Sequence, residues 1–158
     1  MKTLIIYYSA EGHTKRVAEE IAKNISADLF EIVPAQPYTA DDLKWMDDDS
    51  RCSREHNNPE LRDIELKNTV VPNWSSYDRV IIGYPIWWGI AAWPVNAFVK
   101  TQDFTGKTVI PFCTSHSSDL GDSDLKIKAI AKGGEWQPGH RFFQDAPTAT
   151  IKKWLPGL

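Results

Sequence analysis

Asp78-Arg79-Val80-Ile81-Ile82-Gly83-Tyr84-Pro85-Ile86-Trp87-Trp88-Gly89 is the stretch from which the rest of the chain can be read. Val80 to Tyr84 is a continuous apolar run without polar alternation, the pattern of a strand buried on both faces. Pro85 has no N–H for a sheet ladder and biases Tyr84 towards extended geometry, so the strand is expected to end there. Ile86, Trp87 and Trp88 are then carried on a turn closed by Gly89. Lone tryptophans usually cover a core. A pair at the carboxyl end of a buried strand has a second use, because open α/β sheets bind ligands outside that end and planar rings suit a planar ligand.

At 158 residues the chain fits one domain, expected to span 1–158, with a single core. A net charge of -3 and no clustered Lys/Arg excess argue against nucleic acid as a partner. The apolar stretch after Met1-Lys2-Thr3 is too short for a secretory signal, and no run approaches a membrane span, so no membrane partner and a cytoplasmic location are expected. The two cysteines, Cys52 and Cys113, have no metal-ligand spacing and read as free thiols. No metal site is expected.

The chain opens with Thr3-Leu4-Ile5-Ile6-Tyr7-Tyr8, a second buried strand, followed by the polar loop Ser9-Ala10-Glu11-Gly12-His13-Thr14. Val17, Ala18, Ile21, Ala22 and Ile25 then fall at helical spacing opposite Lys15, Arg16, Glu19, Glu20 and Lys23, which predicts an amphipathic helix starting near Gly12 or His13. Hydroxyls and free N–H groups at the positive end of a helix dipole suit a phosphate; the alternative is that Ser9 or Thr14 only caps the helix. A single glycine, Gly12, rules out the three-glycine dinucleotide fingerprint, and no Gly-Lys-Ser/Thr follows to make a P-loop.

Leu29 to Val33 reads as a further strand, partly polar as suits an edge, closed by Pro34 and Pro37. Tyr38 to Tyr77 is wetter and too long for a plain loop, so short helical turns are expected within it. Thr39-Ala40-Asp41-Asp42 resembles a helix start. Asp41, Asp42, Asp47, Asp48 and Asp49 fit no calcium loop and read as a solvated acidic face, with Arg51 and Arg54 as local partners. Beyond the central strand come a helix with Pro94 in its first turn, a strand Thr108–Thr114 and a small-residue loop to Gly121. A helix around Leu125 to Ile130, one short last strand within Glu135–Phe143 and a closing helix Ala149–Leu155 complete the chain. Alternating strands and helices predict an α/β fold, a parallel sheet with helices on both faces.

Three loops therefore follow buried strands at one sheet edge: Ser9 to Thr14, Pro85 to Gly89, and Thr114 to Gly121. Together they make the chain resemble a flavodoxin of the short-chain type, over nearly its whole length, with an extended connection between strands 2 and 3. Ser-Ala-Glu-Gly-His-Thr stands for the family's phosphate loop, Gly-Tyr-Pro-Ile-Trp-Trp-Gly for its aromatic flavin loop and Thr-Ser-His-Ser-Ser for its second flavin loop. The resemblance implies a three-layer sandwich with a five-stranded parallel sheet in the order 2-1-3-4-5, binding FMN non-covalently at the switch between strands 1 and 3. It implies that Ser9 and Thr14, with N–H groups from Ala10, Glu11, Gly12, His13 and Thr14, hold the phosphate. Pro85, Ile86, Trp87, Trp88 and Gly89 would supply the ring contact, with either tryptophan stacking. Thr114, Ser115, His116, Ser117 and Gly121 would line the pyrimidine edge. Glu11 and His13 depart from the family pattern; a carboxylate beside a dianion is unfavourable unless it points away, and a protonated His13 would offset it. Cys113 reads as an apolar filler, since the Cys-x5-Arg loop of a phosphatase would need an Arg where Asp119 stands.

Three functions follow from that resemblance. The favoured one is a low-potential electron carrier with protein redox partners, a reductase and an acceptor, in which FMN does the chemistry. The second is an NAD(P)H-dependent reductase acting on a quinone-like acceptor. The third is a binding module without FMN, suggested only by Glu11. Family carriers tend to be strongly acidic around the flavin, and the mild net charge here leaves Asp47 to Asp49 to supply that field locally.

Overall fold

The two apolar runs form the middle of a twisted parallel sheet in the computed structural model, which describes residues 1–158 with the side chain of Pro156 excepted. β1 (Thr3–Tyr7) lies between β2 (Asp28–Glu31) and β3 (Arg79–Trp87), and β5 (Thr108–Ser115) flanks β3 on the other side. Consecutive residues of the buried strands point to opposite faces, and each face has its own helices. Leu4, Ile6, Val80, Ile82 and Val109 pack with α3 (Trp93–Val99) and with Ile127 of α4 (Ser123–Ile130). Ile5, Tyr7, Ile81, Ile110 and Phe112 pack with α1 (His13–Ile25) and with Ile151 of α5 (Thr148–Trp154). This double burial is why the runs lack polar alternation. β2 is the edge strand, three of its four residues exposed.

The sheet departs from the expected five strands in two places. Its fifth position is divided: β6 (Glu135–Trp136) pairs with Thr108 and Val109, and β7 (His140–Phe143) pairs with Phe112 to Ser115. The order of positions is therefore as expected, β2-β1-β3-β5-β6, but with β7 continuing the place of β6 after a break at Gln137-Pro138-Gly139. Pro111, which has no N–H to offer a ladder, stands opposite that break. The second departure is β4 (Ile90–Ala91), which pairs antiparallel with Ile86 and Trp87.

β3 also passes the proline at which it was expected to stop. Pro85 is the last rung against β5, opposite Thr114, and its carbonyl accepts from the Ala92 N–H at 3.0 Å, which carries the strand on into its pairing with β4. Ile86 and Trp87 thus lie on a strand, and only Trp88 and Gly89 form the turn, with φ of 47° and 79°. Two left-handed residues make a two-residue hairpin turn whose twist matches its strands. Gly83 has a different reason to be glycine: a Cβ there would meet Phe112 Cζ at 2.2 Å.

Between β2 and β3, α2 (Arg51–Asn57) and short 3-10 turns at Pro59–Arg62 and Trp74–Ser76 supply the expected helical pieces. Thr39 does not start a helix. Its side chain accepts from Asp42 N–H at 3.1 Å while the Asp42 carboxylate accepts from Thr39 N–H at 3.0 Å, a reciprocal cap. The chain then folds back, Trp45 N–H donating to Leu43 O at 2.8 Å, and only turns follow. Arg51 pairs with Asp42 at 3.8 Å; among the described residues Arg54 forms no ion pair. No helix of the described residues is long and apolar enough to cross a membrane.

Candidate functional site

The carboxyl ends of β1, β3 and β5 open onto a cavity of about 470 Å³. Register brings the three ends level: Tyr7 lies opposite Gly83, and Gly83 opposite Phe112. From the first loop Ser9, Ala10, Glu11, His13 and Thr14 line the cavity. Gly12 caps α1 with φ 95°, and its N–H donates to Ser9 Oγ at 3.1 Å, which folds the loop around the helix end. Among the described residues, the N–H groups of His13, Thr14 and Lys15 have no acceptor, as the first helical turn requires. Glu11 lies 3.8 Å from His13, both side chains exposed. Thr14 Oγ1 lies 2.7 Å from Thr114 Oγ1, both residues buried, so one shared hydroxyl proton ties the first loop to the third.

From β3 and its turn, Pro85, Ile86, Trp87 and Trp88 line the cavity. Trp87 is half-buried and meets Tyr8, Tyr38 and Trp93 at steep ring angles, 4.9 to 5.8 Å between centroids. Trp88 is stacked on His56 at 4.3 Å and 6°, and lies near-parallel to Trp93 at 5.8 Å. The aromatic turn is thus wedged into a cluster to which the β2–β3 connection contributes Tyr38 and His56. Burial, reinforced by Arg62, holds the His56 imidazole below its ordinary value.

β5 and the loop after it contribute Thr114, Ser115, His116, Ser117 and Ser118. Arg141 of β7 organises this segment: its Nε donates to Ser115 Oγ at 2.8 Å and an Nη approaches His116 O at 3.5 Å. Ser115 Oγ in turn donates to Ser118 O. Cys113, beneath, is fully buried, and burial pushes its thiol up to about 12, as an inert filler requires.

Three of the predicted residues, Gly12, Gly89 and Gly121, do not line the cavity. Gly12 shapes its loop, Gly89 completes the hairpin turn, and Gly121 sits beneath that turn, where a Cβ would come 3.9 Å from Gly89 O. Ser118, the last residue of the second flavin loop, lines the cavity too, and four lining residues escaped the sequence reading: Leu43, Trp45, Cys52 and Gln144. Leu43 and Trp45 had a signal, since both are large apolar residues in an otherwise acidic segment. Glu55 was also missed. It is 7% exposed, and its carboxylate accepts from Tyr38 OH at 2.6 Å, Trp93 Nε1 at 3.0 Å and Arg51 Nε at 3.2 Å, riveting α2 to the aromatic cluster. Burial and then the Glu55 hydrogen bond raise the Tyr38 phenol far above its ordinary value, so it stays a donor.

The fold is thus a doubly wound α/β sheet with a crevice at its switch point, a hydroxyl and N–H cradle on one wall and aromatic rings on another. The sequence model of the flavodoxin family matches residues 2–158, and the chain belongs to that family. It is similar to a protein of Bacteroides eggerthii DSM 20697 described as a candidate flavoprotein, with 39% identity, TM-score 0.87, and coverage of 99% of this chain and 96% of that one. A second candidate flavoprotein, from Bacteroides uniformis ATCC 8492, has 38% identity, TM-score 0.89 and coverage of 98% and 97%. A Lactobacillus acidophilus NCFM flavoprotein solved in complex with FMN shares the fold at 23% identity and TM-score 0.62, covering 98% of each chain. Comparison with curated proteins returned no match.

Proposed function

We propose that the protein binds FMN non-covalently in this cavity and works as an electron carrier between protein partners. The observation that carries the reading is the convergence of three chemically different walls on one 470 Å³ space. The fit can be tested wall by wall. For a phosphate, the first loop has the unpartnered N–H groups of His13, Thr14 and Lys15 and the Ser9 hydroxyl, which accepts from Gly12 N–H and keeps its own proton to donate. Thr14 donates to the phosphate only while Thr114 supplies the proton of their shared bond. Glu11 and His13 both line the cavity with their side chains 3.8 Å apart, so a cationic His13 would offset the carboxylate beside a dianion. For the ring there are Trp87, Trp88 and Ile86, and for its polar edge the hydroxyls and backbone of Thr114 to Ser118.

When bound, FMN supplies one- and two-electron redox chemistry. The protein's share is to hold the phosphate and ring in place, keep water from the buried side and set the polarity around it. One phosphate cradle favours FMN over FAD. No Lys or Arg lines the cavity, so the phosphates of a pyridine dinucleotide lack a charged receptor there, and this favours a carrier over an NAD(P)H-dependent reductase. Purified protein should be yellow, and extraction should release FMN; recovery of FAD or of no flavin overturns the cofactor. Anaerobic NADPH alone should leave the colour unbleached, whereas rapid bleaching would make the protein a reductase.

A further inference from the structure

We infer that Trp45, on the connection between β2 and β3, is a stacking face for the flavin ring; this rests on the FMN reading above. Of the seven tryptophans, Trp74, Trp87, Trp88, Trp93, Trp136 and Trp154 each have an aromatic partner, and among the described residues Trp45 has none. It is 66% exposed and borders the cavity. It also walls a second, more open hollow with Glu11, Leu43, Lys44, Met46 and Asp47, so Trp45 borders both spaces, as do Glu11 and Leu43.

The backbone that carries this indole is held firmly. Trp45 N–H donates to Leu43 O at 2.8 Å, and Trp45 O accepts from Ser53 Oγ at 3.2 Å. Ser53 is itself buried and bonded to Ser50, the cap of α2. A large apolar ring presented to solvent from an anchored base, beside a cavity, has a cost that a planar ligand removes. The aromatic turn is a poorer candidate for the outer contact. Trp88 already stacks on His56 at 4.3 Å and lies near-parallel to Trp93, and Trp87 meets three rings. Among the described residues, Trp45 is the one tryptophan at the cavity without an aromatic partner.

The test is flavin titration of the flavin-free protein carrying Trp45→Ala or Trp45→Phe, with FMN and riboflavin as ligands and urea unfolding of each flavin-free variant alongside. Aromatic stacking on a planar base is worth roughly 5- to 150-fold in affinity. Trp45→Ala should weaken both flavins by the same factor within that range, Trp45→Phe should recover most of it, and unfolding midpoints should not move. Unchanged flavin affinity in Trp45→Ala overturns the inference, including the case where only transfer to a protein partner slows, which would make Trp45 a docking residue. A fall in stability of the flavin-free variant equal to its loss of affinity also overturns it. Wild-type protein that binds neither flavin would instead refute the FMN reading itself.

Discussion

Replacing Glu55 with Leu should loosen the whole wall of the site that comes from the β2–β3 connection. The substitution keeps the bulk of the side chain but removes the acceptor of three donors. Trp93 is fully buried, so its indole N–H is left without water or protein, at about 1–3 kcal/mol. Tyr38 loses a 2.6 Å bond but can reach solvent, and Arg51 keeps Gln36 O at 2.8 Å. Removing one member of a buried ion pair usually costs about 3–5 kcal/mol; with Arg51 partly compensated we expect about 3 kcal/mol. Glu55→Gln retains Oε1 for Tyr38 and Trp93 but sets an amide N–H₂ against Arg51 Nε, so it should cost roughly half as much. Urea unfolding of the flavin-free protein measures both, and hydrogen exchange should show the added opening concentrated in Arg51–Asn57. A Glu55→Leu variant within about 1 kcal/mol of wild type, or a Gln variant as damaged as the Leu one, would refute the reasoning.

Ser9→Ala should weaken FMN by about 1.5–3 kcal/mol, the worth of a hydrogen bond to a charged group, and leave riboflavin unchanged; equal losses would mean that Ser9 acts on folding. Gly83→Ala should destabilise by about 3 kcal/mol because its Cβ would overlap the Phe112 ring at 2.2 Å, and adding Phe112→Leu should restore part of that; a neutral Gly83→Ala would show the packing to be loose. Burial lowers the imidazoles of His56, with Arg62 adding, and of His140, so the native state binds fewer protons than the unfolded one near the usual value of 6.5. Stability should therefore rise with pH through that region and fall as the pH drops below it; His56→Phe, which keeps a ring on Trp88, should flatten part of the slope, and an identical slope would count against the assignment.

The strands that form the floor of the site were legible because burial on both faces leaves a local mark. Thr3–Tyr8 and Val80–Tyr84 show it, as does the 3.6-residue period of Val17, Ala18 and Ile21 in α1. With the strands placed, parallel topology alone put the three loops at one edge, so thirteen of the sixteen residues singled out lie around the cavity. Local rules failed where a neighbouring strand supplied what they assumed absent. β3 runs on past Pro85 because β4 folds back to pair with Ile86 and Trp87, and the last strand breaks where β5 presents Pro111.

By itself, then, the sequence determined the layers, the parallel sheet and the edge at which the chemistry gathers, since these depend on periodicity and chain order. Tertiary structure alone decided which side chains meet there. Glu55 with Trp93, 38 residues apart, Arg141 with Ser115, 26 apart, and Thr14 with Thr114, 100 apart, are pairings that no local pattern encodes. Each joins groups whose hydrogen-bonding needs are satisfied only when burial removes water as the competing partner.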